Sequence, residues 1–199
     1  VGQLDKELNK PMTEDAVFRI YSMTKPIICV ALMTLYEQGR FQLTDPVANF
    51  IPAFNGLKVL ECDEKGEVKE VDLARPPTIR SLLTHTSGLS YDFLEDFPVA
   101  ELYRQAGILN NPERTLEELV HDLSLLPLAF QPDSNWHYSL GIDVAARLIE
   151  IISGQELEQF LKENIFDPLG MVDTGFSVDP EERHRIAAMY GLPDLCSPK

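Results

Sequence analysis

From Ile27 to Leu35 nearly every residue is apolar, which leaves no polar stripe and predicts a helix buried on all sides. Residues 16–21 read as a short extended approach to it, with Ser22 as its N-cap. The helix should run to about Gln38 and stop at Gly39, and Pro26 lies early enough for its missing N–H to cost little. Residues 57–62 and 67–73 look like two strands joined by Asp63-Glu64-Lys65-Gly66. After the Arg75-Pro76-Pro77 break, a short helix is expected over 78–83, followed by a His85-Thr86-Ser87-Gly88 loop.

The stretch 90–111 reads as loop-rich, with Tyr91, Phe93 and Phe97 lining a pocket or simply packing. Thr115 and Glu118 form a capping-box signature ahead of Leu119, Val120 and Leu123. Residues 131–137 are polar and turn-like. A strong helical period then places Ile142, Ala145, Leu148, Ile149 and Ile152 on one face, with Gly154 near the stop. A further helix is expected over 155–164, then the Asp167-Pro168-Leu169-Gly170 turn, a strand over 175–178 and a helix over 180–189. The pattern is helix-rich with a few short strands.

The 199 residues suffice for a real core. A formal net charge of -15 argues against nucleic acid, polyanionic substrates and anionic membranes. The longest nearly uncharged run, residues 26–36, is too short to cross a bilayer, and no signal peptide is visible at the start. Because the chain opens on Val1 instead of Met, an upstream segment is expected. Cys29, Cys62 and Cys196 have no metal or disulfide spacing, which leaves the compartment unassigned: the cytoplasm is slightly favoured and the periplasm stays open.

Ser22-Met23-Thr24-Lys25 is the sharpest chemical candidate. On a helix, positions i and i+3 share a face, so Lys25 would stand one turn beyond the Ser22 hydroxyl. The helix N-terminus favours developing alkoxide, and a lysine in a dry pocket can lose its proton and accept one from serine. The spacing alone is weak, because a capping serine followed by a snorkelling surface lysine gives the same pattern. Tyr138, between a polar turn and an apolar helix, is a second candidate, although from position alone it reads more readily as a packing tyrosine. The four histidines have no metal spacing, nothing in the sequence calls for a cofactor, and no spacing supports a Ser-His-Asp triad.

Taken together, five ordered blocks resemble one family. Phe18-Arg19-Ile20-Tyr21-Ser22-Met23-Thr24-Lys25-Pro26 resembles the stretch around the active serine of family VIII carboxylesterases. These belong to the serine β-lactamase-like superfamily, with the class C β-lactamase and penicillin-binding-protein fold. Leu43-Thr44-Asp45-Pro46-Val47, the block from Ser81 to Leu89, Tyr138-Ser139-Leu140-Gly141 and the block from Phe166 to Met171 are similar to its other shared segments. The resemblance implies an α+β fold of the β-lactamase/transpeptidase type, helix-rich with an incomplete antiparallel sheet. It also implies one incomplete domain over 1–199, with part of the α/β region in 1–75 and a mostly helical region in 76–199.

By the same resemblance, Ser22 is the acylated nucleophile, Lys25 and Tyr138 share the general-base work, and the Ser22 N–H is one oxyanion donor. The implied function is a carboxylesterase acting on small esters through an acyl-enzyme, with no cofactor. β-Lactam or DD-peptidase chemistry is the alternative, and a non-catalytic interaction module is a third reading. Two departures bear on the choice. The tyrosine motif carries Leu140 where β-lactamases have asparagine, which counts against β-lactam hydrolysis. The late strands with the third motif are missing, so a truncated chain that self-associates or needs a complementing chain is expected.

Overall fold

Helix α1 (Thr24–Glu37) buries Ile28, Ala31, Leu32 and Leu35, the i, i+3, i+4, i+7 stripe of a helix packed on one side. In the computed structural model, which describes residues 1–62, 67–111 and 113–191, that stripe lies against α5 (Gly141–Ser153). The expectation of burial all round is not met: Val30 is 56% exposed, and Met23 and Pro26 are exposed on the same flank. Among the described residues no element covers that flank. The apolar run in the sequence records two faces, of which one is covered.

Helix α5 carries the other half of the core through Ile142, Val144, Ala145, Leu148, Ile149 and Ile152. Each large aliphatic side chain withdrawn from water in this way contributes about 1.5–3 kcal/mol. Both helices stop where glycine was expected, at Gly39 and Gly154. Short α2 (Ile79–Leu83) starts in a reciprocal capping box between Thr78 and Ser81 and packs on α5. The expected Thr115–Glu118 box likewise opens α4 (Leu116–Ser124). Helix α6 (Leu157–Leu161) runs on into a π-helical turn over Lys162–Phe166, two residues beyond the helix expected there.

Sheet content is small. Strands β1 (Gln3–Asp5) and β2 (Lys10–Pro11) form one antiparallel pair, and β3 (Lys58–Cys62) and β4 (Val68–Asp72) form the other. The second pair is the hairpin expected from the sequence, whose turn at 63–66 lies outside the described residues. Leu128 bridges to β3, donating to the Lys58 carbonyl at 2.7 Å and accepting from the Leu60 N–H at 2.8 Å. The next residue, Ala129, donates to the Gly88 carbonyl at 2.7 Å, so the segment after Leu128 runs beside the His85–Gly88 loop.

Three local expectations need correction. The loop-rich stretch contains a helix, α3 (Val99–Gln105), which starts at Pro98 and buries Val99, Ala100 and Tyr103. With two turns and no side-chain cap, it left little periodic signal. Residues 175–178 form no strand, having no ladder partner among the described residues. The helix expected over 180–189 is a 3-10 segment, Pro180–Arg185, which ends where Ile186 turns extended to bridge with Val17. Arg185 fastens this region by pairing with Asp173 at 2.6 Å and Glu182 at 3.0 Å. Among the described residues no helix is long and apolar enough to cross a membrane.

Candidate active site

Ser22 lies two residues before α1, in a 3-10 turn formed by Tyr21–Met23. It is therefore not the N-cap expected from the sequence; that position belongs to Met23, which makes no side-chain cap. Tyr21, just before it, holds a left-handed backbone with φ of +44°, a conformation that costs an L-residue roughly 1–2 kcal/mol. The Ser22 oxygen makes no capping hydrogen bond among the described residues and meets two side chains instead.

Two groups reach that oxygen. The Tyr138 hydroxyl donates to Ser22 Oγ at 2.6 Å, across 116 residues of sequence, and Lys25 Nζ donates to it at 3.3 Å. All three residues singled out from the sequence thus meet at one point. Lys25 lies 4.8 Å from the centroid of the Tyr138 ring and 5.5 Å from that of Tyr91. The two tyrosine rings stack at 5.4 Å, so the ammonium is held against aromatic faces.

Opposing influences act on the two groups that reach Ser22. Burial works against a charge on Lys25, but hydrogen bonding with Tyr138 and Tyr91 outweighs it and holds the amine above its ordinary value. That direction favours the ammonium form of Lys25. Burial opposes ionisation of Tyr138 too, yet its hydrogen bonds with Lys25 and Ser22 and the Lys25 charge bring its phenol down. Tyr91 goes the other way, pushed up to about 12 mainly by burial. Of the two stacked phenols, Tyr138 is the one shifted toward ionisation.

The cleft beside Ser22 has a volume of about 320 Å³ and is walled by Lys25, Ile28, Ile142, Asp143, Leu157 and Phe176 among others. Its lining is mostly apolar. Asp143 faces Lys25 across it, with one carboxylate oxygen buried and without a hydrogen-bond partner among the described residues. Burial raises the Asp143 carboxyl, and the Lys25 charge pulls it back. Leu140 is 1% exposed and turned into the core, so the third position of the tyrosine motif presents no polar group to the cleft.

Sequence reasoning missed the supports. The Ser90 hydroxyl lies 2.9 Å from His137 Nε2, and His137 Nδ1 is 3.9 Å from Asp96. This has the composition of a Ser-His-Asp triad but not its accessibility. Ser90 is fully buried, and the contact ties the Tyr91 segment to the Tyr138 segment. His85 stands on the other side of Tyr138, with ring centroids 4.9 Å apart. Close backbone approach holds the same region together: a Cβ on Gly141 would lie 2.8 Å from the Leu82 carbonyl oxygen. Among the described residues no cluster of three His, Cys, Asp or Glu side chains is arranged to hold a metal ion.

A family model described as Beta-lactamase matches residues 1–198. Protein Rv1367c of Mycobacterium tuberculosis (strain ATCC 25618 / H37Rv) is 36% identical over 195 residues, covering 98% of this chain and 47% of its own length. Esterase EstB of Burkholderia gladioli is 35% identical over 197 residues, covering 97% of this chain and 47% of its own. Among solved structures, EstCE1, a hydrolase with promiscuous acyltransferase activity, superposes with a TM-score of 0.77 at 32% identity, over 94% of this chain and 46% of that one. The chain thus spans about half the length of the curated relatives it matches.

Proposed function

Because the chain belongs to the beta-lactamase family, we propose that it carries the nucleophile half of a serine hydrolase that cleaves small carboxylic esters through an acyl-enzyme on Ser22. The observation that carries this reading is the convergence of Tyr138 at 2.6 Å and Lys25 at 3.3 Å on the Ser22 oxygen. The Tyr138 phenolate, stabilised by the Lys25 ammonium, takes the Ser22 proton as Oγ attacks the ester carbonyl carbon. The carbonyl π electrons move to oxygen, with the Ser22 N–H as one donor to it. Collapse of the intermediate breaks the bond to the alcohol oxygen, which leaves with the proton from Tyr138. Water, or a second alcohol, then attacks the acyl-enzyme and gives its proton to Tyr138, which returns it to Ser22.

Esters are favoured over β-lactams and peptides by Leu140, whose buried side chain offers an amide nothing to bind. The apolar cleft wall suits an aliphatic acyl group, and the likeness to Esterase EstB favours ester cleavage. The exposed α1 flank, with Val30 56% and Met23 64% exposed, favours a second property, association of this chain with itself or with a complementing chain.

The test is intact mass after incubation with a fluorophosphonate, followed by peptide mapping. A single adduct on Ser22, absent in Ser22→Ala, is expected. A folded protein that takes no adduct, or takes it elsewhere, would refute Ser22 as the nucleophile.

A further inference from the structure

His85 belongs to the His-Thr-Ser-Gly loop, and nothing in the reaction above uses it. Its surroundings are nonetheless built with some care. The backbone at His85 is left-handed, with φ of +57°, and its carbonyl accepts the His137 N–H at 2.9 Å. Its ring Nδ1 accepts the Ser139 backbone N–H at 3.2 Å and lies 3.2 Å from Ser139 Oγ. Ser139 is fully buried, and its Oγ in turn accepts the Gly141 N–H at 3.2 Å. The residues on both sides of Tyr138 are thus anchored on one histidine, one on its carbonyl and the other on its ring, while the ring leans on the Tyr138 phenol at 4.9 Å.

A nitrogen that accepts a backbone N–H must carry a lone pair, so His85 has to be neutral with its proton on Nε2. Protonating Nδ1 would set two N–H groups against each other and release Ser139. We propose that neutral His85 is the positioning residue that holds the Tyr138 phenol on Ser22, so that acid inactivates the site through His85 before the fold itself fails. The inference rests on the reading of Tyr138 as the base. The titratable groups that face the ring are Lys25 from α1, and His137 and Tyr138 from the segment before α5. Burial first, then the charges of Lys25 and His137, favour the neutral ring.

Two measurements on the whole chain test this. In ¹⁵N-histidine NMR spectra near pH 7.5, the resonances lost in His85→Asn should report a bare Nδ1 and a protonated Nε2; the opposite tautomer, or an imidazolium, overturns the proposal whether or not the protein has esterase activity. The second is the pH dependence of Ser22 labelling by a fluorophosphonate. In the unmodified protein, labelling should lose an extra factor approaching roughly tenfold per pH unit below the His85 titration seen by NMR, on top of the loss from Tyr138 protonation. His85→Asn keeps an acceptor for the Ser139 N–H, tolerates the left-handed backbone and cannot take up a proton. It should retain labelling at neutral pH and lose the extra acid limb. An acid limb unchanged in His85→Asn, or one that tracks His137, overturns the proposal. A chain that never labels would sink the hydrolase reading instead, and the tautomer would still decide the role of His85.

Discussion

Replacing Tyr138 with phenylalanine separates chemistry from packing at this site. The change removes one oxygen, and with it the 2.6 Å contact to Ser22. The ring contacts with Tyr91 at 5.4 Å and His85 at 4.9 Å survive, because they involve the aromatic faces. Stability should therefore fall by no more than a lost hydrogen bond at the edge of an open cleft, about 0.5–1.5 kcal/mol. Reactivity should fall much further. Loss of a positioned general base costs roughly 10²–10⁴-fold, which at 1.36 kcal/mol per tenfold is about 3–5.5 kcal/mol of transition-state stabilisation. The assay is the second-order rate of Ser22 modification by a fluorophosphonate, with urea unfolding as the control. A Tyr138→Phe protein that labels within about threefold of the unmodified chain would refute the assignment of Tyr138 as base. So would an equal loss in rate and in stability, since that would place the effect in the fold.

Other outcomes follow from the same geometry. Lys25→Met keeps a long apolar stem but removes the charge that lowers the Tyr138 phenol; Ser22 labelling, which should rise with pH as Tyr138 ionises, should need a higher pH, and an unmoved profile would show that Lys25 does not set that ionisation. Gly88→Ala combines a left-handed φ of +89° with a Cβ placed 2.4 Å from the Phe130 carbonyl oxygen. Roughly 1–2 kcal/mol for the backbone and 1–3 for overpacking should appear in denaturant unfolding, and a loss below about 1 kcal/mol would contradict it. Thr115→Ala removes the cap of α4, whose hydroxyl accepts the Glu118 N–H at 3.2 Å. A loss of about 1 kcal/mol is expected by the same measurement, and none would mean that the helix start is held by its packing alone.

The helices that could be read from the sequence were those whose signals are local. The Thr115–Glu118 box, the α5 stripe and Gly154 all lie within one or two turns of what they specify, and the structure keeps them. The meeting of Ser22, Lys25 and Tyr138 could be read only through family resemblance, since the Tyr138 contact spans 116 residues and no period encodes it. The supporting histidines could not be read at all. His85 and His137 act through backbone carbonyls and buried hydroxyls, which composition does not distinguish from ordinary loop chemistry. The single-sided packing of α1 was hidden for a related reason. An all-apolar run states that both faces avoid water without stating which neighbour covers each.

The sequence also suggested that the helix N-terminus activates Ser22, and here magnitudes decide otherwise. Ser22 precedes the first residue of α1, and a helix end contributes typically 0.3–1 kcal/mol at an exposed position. A full charge is a larger influence: two unit charges 4 Å apart interact by about 4 kcal/mol at an effective dielectric of 20. Lys25 supplies such a charge 3.3 Å from Ser22 Oγ and 4.8 Å from the Tyr138 ring, and its own protonation is sustained by the phenols it contacts. The helix therefore serves mainly as a ruler, setting Lys25 one turn beyond Ser22. Charge on Lys25 and ionisation of Tyr138 favour each other. On that account, moving Lys25 by one position along α1 should cost reactivity comparable to removing it, even though the helix end and its dipole would be unchanged.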